Sequence, residues 1–173
     1  MKSKFSNWQI AGFVFTSVIG TLLHFAYDWS GQSVIVAPFS AVNESIWEHI
    51  KLIYFPMLLF SIIEYKYIGK NFENFLCVKA TGSIIGVVLI PTLYYTYRGI
   101  IGKSIDWLNI VIFFVTAAVI YYVETRLISK ELKCNPKVAI FILILIGVAF
   151  IVFTWFTPQI PLFQDPINKT YGL

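Results

Sequence analysis

Residues 138–157 read VAIFILILIGVAFIVFTWFT, twenty positions without a charged group. As an α-helix rising about 1.5 Å per residue, this run reaches about 30 Å, the thickness of the hydrocarbon core of a bilayer. A helix that is apolar on every side has no place on the surface of a soluble fold, whose outward faces are polar. Four further apolar segments, at about 8–28, 44–66, 75–97 and 106–128, join one at about 137–157. The spacing predicts an all-α, polytopic transmembrane bundle of five helices, forming one domain over residues 1–173.

Composition points the same way. The chain is 58% hydrophobic and 13% charged, against roughly 45–50% apolar and 25% charged in a soluble domain. A disordered chain is excluded, and the apolar surplus calls for lipid. The net charge of +4 does not indicate nucleic acid, because the basic residues are scattered between apolar runs and form no patch. They do fall unevenly about the helices. Lys2, Lys4, Lys66, Lys70, Lys79, Arg126, Lys130, Lys133 and Lys137 flank one side; Arg98, Lys103 and Lys169 flank the other. This bias of nine to three predicts a cytoplasmic N-terminus and an outer C-terminus in the cell membrane. Cys77 and Cys134 then lie on the reducing side and are expected to be free thiols.

The first segment has no small-residue cleavage site after it; His24, Asp28 and Trp29 stand there instead, so it reads as a permanent helix. Small residues mark close helix contacts: Gly82 and Gly86 form a GxxxG pair, and Gly12, Thr16 and Gly20 recur every four residues. Self-association into a homo-oligomer is compatible with these stripes. The uncharged loop 30–43, SGQSVIVAPFSAVN, is too short to cross and must lie at the outer interface or dip into the protein. The tail 158–173, interrupted by Pro158, Pro161 and Pro166, forms either an outer lid or a frayed end.

Ionisable residues inside spans are expensive, so their positions carry information. His24, Asp28, Glu44, Glu48, His49 and Lys51 gather at the outer ends of the first two helices. His24 and Asp28 are four residues apart and share a helix face. If the second helix starts with Asn43 as its N-cap, Glu44, Glu48 and Lys51 share a narrow sector, and His49 points about 100° away from Glu48. Pro56 can tilt that polar end inward.

These residue types suit a divalent metal held by His24, Asp28, Glu44 and Glu48, with Glu48, His49 and Lys51 as the candidate catalytic groups. Two other readings stay open: an interhelical polar lock in which Asp28 and Glu48 pair with Lys51, and a cation pathway. Glu64, Glu73, Glu124 and Glu131 lie beside cytoplasmic Lys or Arg and read as solvated interface charges, with Lys79 snorkelling to its helix end.

The elements His24-Phe25-x-Tyr27-Asp28-Trp29-Ser30-Gly31, Asn43-Glu44-Ser45-x-Trp47-Glu48-His49-x-Lys51 and Pro161-Leu162-Phe163-x-Asp165-Pro166 with Thr170-Tyr171-Gly172 resemble those of an uncharacterised family of small bacterial multi-pass membrane proteins. The resemblance implies a bacterial cytoplasmic-membrane protein without a known reaction, and it adds Asp165 and Tyr171 as lid residues. The expected activity is metal-assisted hydrolysis or transfer on a membrane lipid or lipid-linked substrate. In it Lys51 and Arg98 hold an anionic head group, and Asn43 borders the pocket. The rivals are a small cation transporter or transporter subunit, and a non-catalytic assembly protein. A vestibule blocked by apolar residues below favours surface chemistry or structure, and a continuous polar path favours transport.

Overall fold

The computed structural model describes residues 2–130 and 133–173, with side chains from Lys4 onward in the first helix. Glu131 and the Lys2 side chain lie outside that description. Five helices follow one another: α1 (Lys2–Trp29), α2 (Ile46–Tyr67), α3 (Phe75–Ile101), α4 (Asp106–Leu127) and α5 (Pro136–Trp155). All five are long and apolar enough to cross a membrane, as the segment lengths predict.

Burial ranks the helices. Two-thirds of the apolar window of α2 is buried (67%), against 22% for α1 and 17% for α5, so α2 is the central rod. The outer helices keep apolar stripes uncovered: Ile10, Val14, Val18, Leu22 and Phe25 along α1, and Phe141, Ile144, Leu145, Val148 and Val152 along α5. Contiguous exposed apolar faces of this length belong against acyl chains and would drive association in water.

The opposite face of α1 carries the small residues. A Cβ at Gly12 would overlap Phe60 of α2 and Tyr121 of α4, and one at Gly20 would overlap the Leu52 carbonyl and Phe113. Thr16 exchanges a 2.7 Å hydrogen bond with the Tyr121 hydroxyl between them. Close backbone approach, which only small residues allow, therefore seats α1 on α2 and α4.

The helix limits differ from the sequence reading in physically specific ways. α3 runs on to Ile101 and stops at Gly102, whose φ of +83° is the left-handed conformation of a helix C-cap. α2 begins at Ile46, capped by Ser45 and not by Asn43, because the Ser45 hydroxyl accepts the Glu48 N–H. It passes through Pro56 without interruption. The tail is docked. Residues 161–163 form a 3-10 turn, Gln164 pairs with Tyr171 in an antiparallel bridge, and Phe163 is buried against Trp47, 4.7 Å between ring centroids.

The cysteines are not free thiols. Cys77 and Cys134 form a disulfide across 57 residues, with Cα atoms 6.2 Å apart. Cys77 lies in the first turn of α3 and Cys134 just ahead of α5, so both occupy one end of the bundle; the expectation rested on compartment alone and took no account of this proximity. Peptide mapping of protein purified without reductant is expected to recover the Cys77–Cys134 linked pair. Two separately alkylated thiols would contradict it.

Candidate metal centre

The site is built on the connection between α1 and α2. This segment doubles back on the bundle: Val34, Ile35 and Phe39 face outward, while Ala37 and Ser40 are buried. Ser40 Oγ accepts the Tyr27 N–H and donates to the Leu23 carbonyl, stitching the loop to the end of α1. Its remaining polar groups meet the first turn of α2. Glu48 Oε2 accepts the Val42 N–H at 3.0 Å. Lys51, one turn further on, donates to Glu48 at 2.5 Å, to the Ala37 carbonyl at 3.1 Å and to Thr154 Oγ1 of α5 at 3.1 Å. All three ammonium donors are thus used.

Glu48 is 2% exposed and Lys51 is fully buried. Glu48, expected as a metal ligand and catalytic group, and Lys51, expected on an anionic head group, are therefore spent on each other and on the loop backbone. Breaking a buried pair by removing one partner leaves a lone charge in a dry site and costs about 3–5 kcal/mol.

The tail fixes the last residues of the loop. Asp165 Oδ1 accepts the N–H groups of Ile167 and Asn168, and Oδ2 accepts the Glu44 N–H at 3.3 Å. Asn43 donates from Nδ2 to the Gly172 carbonyl and accepts the Ser45 N–H on Oδ1. Burial pushes the Asp165 carboxyl up, but the N–H groups of Asn168, Ile167 and Glu44 outweigh it and hold the carboxyl below its ordinary value. Tyr171 packs against the main core and takes part in the Gln164 bridge. Asp165 and Tyr171 thus anchor the tail, and Asp165 positions Glu44.

Held this way, Glu44 lies ahead of the helix and turns its carboxylate toward two imidazoles. Glu44 Oε2 is 3.4 Å from His49 Nε2, and Oε1 is 3.9 Å from His24 Nε2. One ligand atom from each of His24, Glu44 and His49 lies within 4.8 Å of the others. Because the Ser45 carbonyl can only accept, its 2.8 Å contact puts a proton on His49 Nδ1, so Nε2 is the nitrogen that faces the cluster, donating to Glu44 when protonated and open to a metal when not. His24 Nδ1 is buried without a partner. The hydrogen bond from His49 lowers the Glu44 carboxyl more than burial raises it, so it stays ionised.

The geometry suits a metal. With metal–ligand bonds of about 2.1 Å, tetrahedral ligand atoms stand about 3.4 Å apart; the His49–Glu44 pair stands at that distance, and His24, 3.9 Å from the other carboxylate oxygen, would close in on a bound ion. Beside the cluster lies a cleft of about 30 Å³, room for one water, lined by Glu44, His49, Ile90, Tyr94, Asn109 and Phe113 among others. The Tyr94 hydroxyl is buried there without a hydrogen-bond partner. Arg98 stacks over the Tyr94 ring at 5.7 Å. Asp28 is exposed and outside the group of three. Sequence reasoning placed His49 on a different face from the acids; the Ser-x-x-Glu pattern of Ser45 and Glu48, an N-cap signature, was the signal that could have moved Glu44 off the helix.

The opposite end of the bundle departs further from expectation. Glu64, Glu124 and Lys79 are not solvated: Glu64 and Glu124 are 0% exposed and Lys79 is 1% exposed. Lys79 pairs with both carboxylates, which face each other across α2, α3 and α4 instead of reaching the interface. Among the described members of this set, Glu73 is exposed as expected.

A five-helix membrane-spanning protein with a His-Glu-His cluster at one end of the bundle is the class these features define. The chain matches the family of unknown function DUF6512 over residues 1–173 and belongs to it. Comparison with curated proteins and with solved structures finds no match.

Two outcomes follow from this construction. Glu48→Gln and Lys51→Met are each expected to destabilise the protein by about 3–5 kcal/mol, measured by unfolding in detergent, and the double variant by clearly less than either. Folding lowers the Asp165 pKa, so its contribution is complete above about pH 4, the unfolded value. It is lost as pH falls through the lower folded value. Hydrogen-exchange protection at Ile167 and Asn168 is expected to disappear in that acid window, and at every pH in Asp165→Asn; protection unchanged in the variant contradicts this role.

Proposed function

We propose that the protein is a metal-dependent enzyme of the bacterial cytoplasmic membrane, hydrolysing or transferring a group on a lipid or lipid-linked substrate at the outer face. The observation that carries this reading is the convergence of His24 Nε2, His49 Nε2 and the Glu44 carboxylate beside the Tyr94 cleft. Two imidazoles and one carboxylate are a ligand set of catalytic zinc, which keeps a fourth position open. A zinc ion there would supply a water acidified to a pKa of about 7, and Lewis acidity toward a carbonyl or phosphoryl oxygen.

The chain's own groups fit the remaining tasks. Glu44 and His49 border the cleft, whose other walls, Ile90, Ile112 and Phe113, are apolar. The free Tyr94 hydroxyl is placed to donate to a reacting oxygen. Arg98, half-buried over the Tyr94 ring, forms no ion pair among the described residues and is available to an anionic head group. Asn109 is held by Tyr97 and Ser104 and shapes the rim.

Surface chemistry is favoured over a through-path. Below the cluster, α2 contributes Ile50, Ile53, Tyr54 and Met57, all buried in the main apolar core. For orientation, the Lys and Arg bias supports a cytoplasmic N-terminus, which puts the cluster outside. The Cys77–Cys134 bridge, at the lysine-rich end, is the feature that opposes it, since cytosolic thiols are kept reduced.

Elemental analysis of the purified protein tests the reading. Wild type is expected to hold one zinc per chain, and His24→Ala, Glu44→Gln and His49→Ala to weaken binding by about 100-fold or more, while Asp28→Asn retains it. A folded wild type that takes up no metal overturns the enzyme and leaves the cluster as a helix lock.

A further inference from the structure

The second polar cluster lies at the other end of the bundle and is independent of the metal reading. Glu64 in the last turn of α2, Lys79 near the start of α3 and Glu124 in the last turn of α4 meet beneath α1. Lys79 Nζ is 2.6 Å from Glu64 Oε2 and 2.5 Å from Glu124 Oε2. Gln9 Nε2 of α1 donates to Glu64 Oε1 at 2.5 Å. The third face of the ammonium rests over the Phe75 and Tyr121 rings, at 5.4 and 5.5 Å.

The cluster is sealed on both sides. The main core lies on one side, and a separate apolar group of Phe5, Ile68, Phe75, Val78 and Ile128 caps it on the other. The charged and titratable groups facing Glu124 among the described residues are Lys79, Glu64 and the Tyr121 hydroxyl; α1 offers the uncharged Gln9 and Thr16. Two carboxylates and one ammonium leave one negative charge uncompensated in a dry site, an arrangement proteins avoid by protonating one acid. The contacts say which. Glu64 Oε1 accepts from Gln9 and its Oε2, though without a hydrogen bond of good geometry, touches the Lys79 ammonium at 2.6 Å, whereas Glu124 Oε1 is buried with neither a donor nor a cation against it, packed over the backbone of Gly82.

We infer that this cluster is a proton-binding site within the membrane, with the proton on Glu124 Oε1 and with Glu64 and Lys79 ionised. Loss of that proton leaves a net negative charge behind the Phe5–Phe75 cap, so its release requires water or a cation to enter there. The site therefore couples proton binding to the closed packing of α1 through α4.

Infrared spectra of the protein in bilayers at neutral pH test this. Wild type is expected to show one buried carboxylic-acid carbonyl band, shifted in Glu124→Asp, absent in Glu124→Gln, and joined by a second band in Lys79→Met, where no ammonium balances either acid. Absence of the band from folded wild type, or its persistence in Glu124→Gln, overturns the site. The Glu124→Asp shift decides the matter if the glutamine variant does not fold; a band unmoved by that change also overturns it.

Discussion

Glu48 and Lys51, one helical turn apart and cut off from water, hold the His24–His49 end of this protein together. Their charges neutralise each other at 2.5 Å, and what remains of their bonding capacity is spent on the loop between α1 and α2 and on Thr154 of α5. The carboxylate takes the Val42 N–H and the ammonium takes the Ala37 carbonyl. Buried backbone groups must find partners, and these two side chains supply them at Val42 and Ala37, where the loop's own turns do not. The loop then has one path, which ends at Asn43 and Glu44. Removing either charge would release the loop and with it the carboxylate between His24 and His49.

The five spans were legible because nothing in a bilayer competes with length and apolarity as signals. An uncharged run such as 138–157 has few other fates. The small-residue stripe of α1 was legible for a related reason, since Gly12, Thr16 and Gly20 mark where backbones touch. The cluster about Glu44 was legible as a neighbourhood but not as a set of partners. Face arithmetic assumed a helix from residue 44, and Ser45 capping shifts the start to Ile46. Two residues of displacement free Glu44 from the helix and exchange Glu48 for His49 in the group.

The Glu64–Lys79–Glu124 cluster was hidden for a different reason. Glu64, Lys79 and Glu124 each sit within two turns of a helix end, where a charge can equally well reach the headgroups. Only the mutual facing of α2, α3 and α4, set by the close approach at Gly82, turns the three side chains toward each other. The cysteine pairing has the same origin, because helix order in space brings together residues that sequence separation keeps apart. The two polar clusters are themselves kept apart by Ile50, Ile53, Tyr54 and Met57, so the proposals made for the two ends of the bundle stand or fall separately.

The direct measure of whether a buried ion pair shapes a metal centre it does not touch is zinc X-ray absorption on wild type and on the Glu48→Gln, Lys51→Met double variant. Wild type is expected to show two imidazoles and a carboxylate oxygen about the metal, and the variant to lose that pattern. An oxygen-only shell in wild type, or an unchanged spectrum in the variant, would contradict the account.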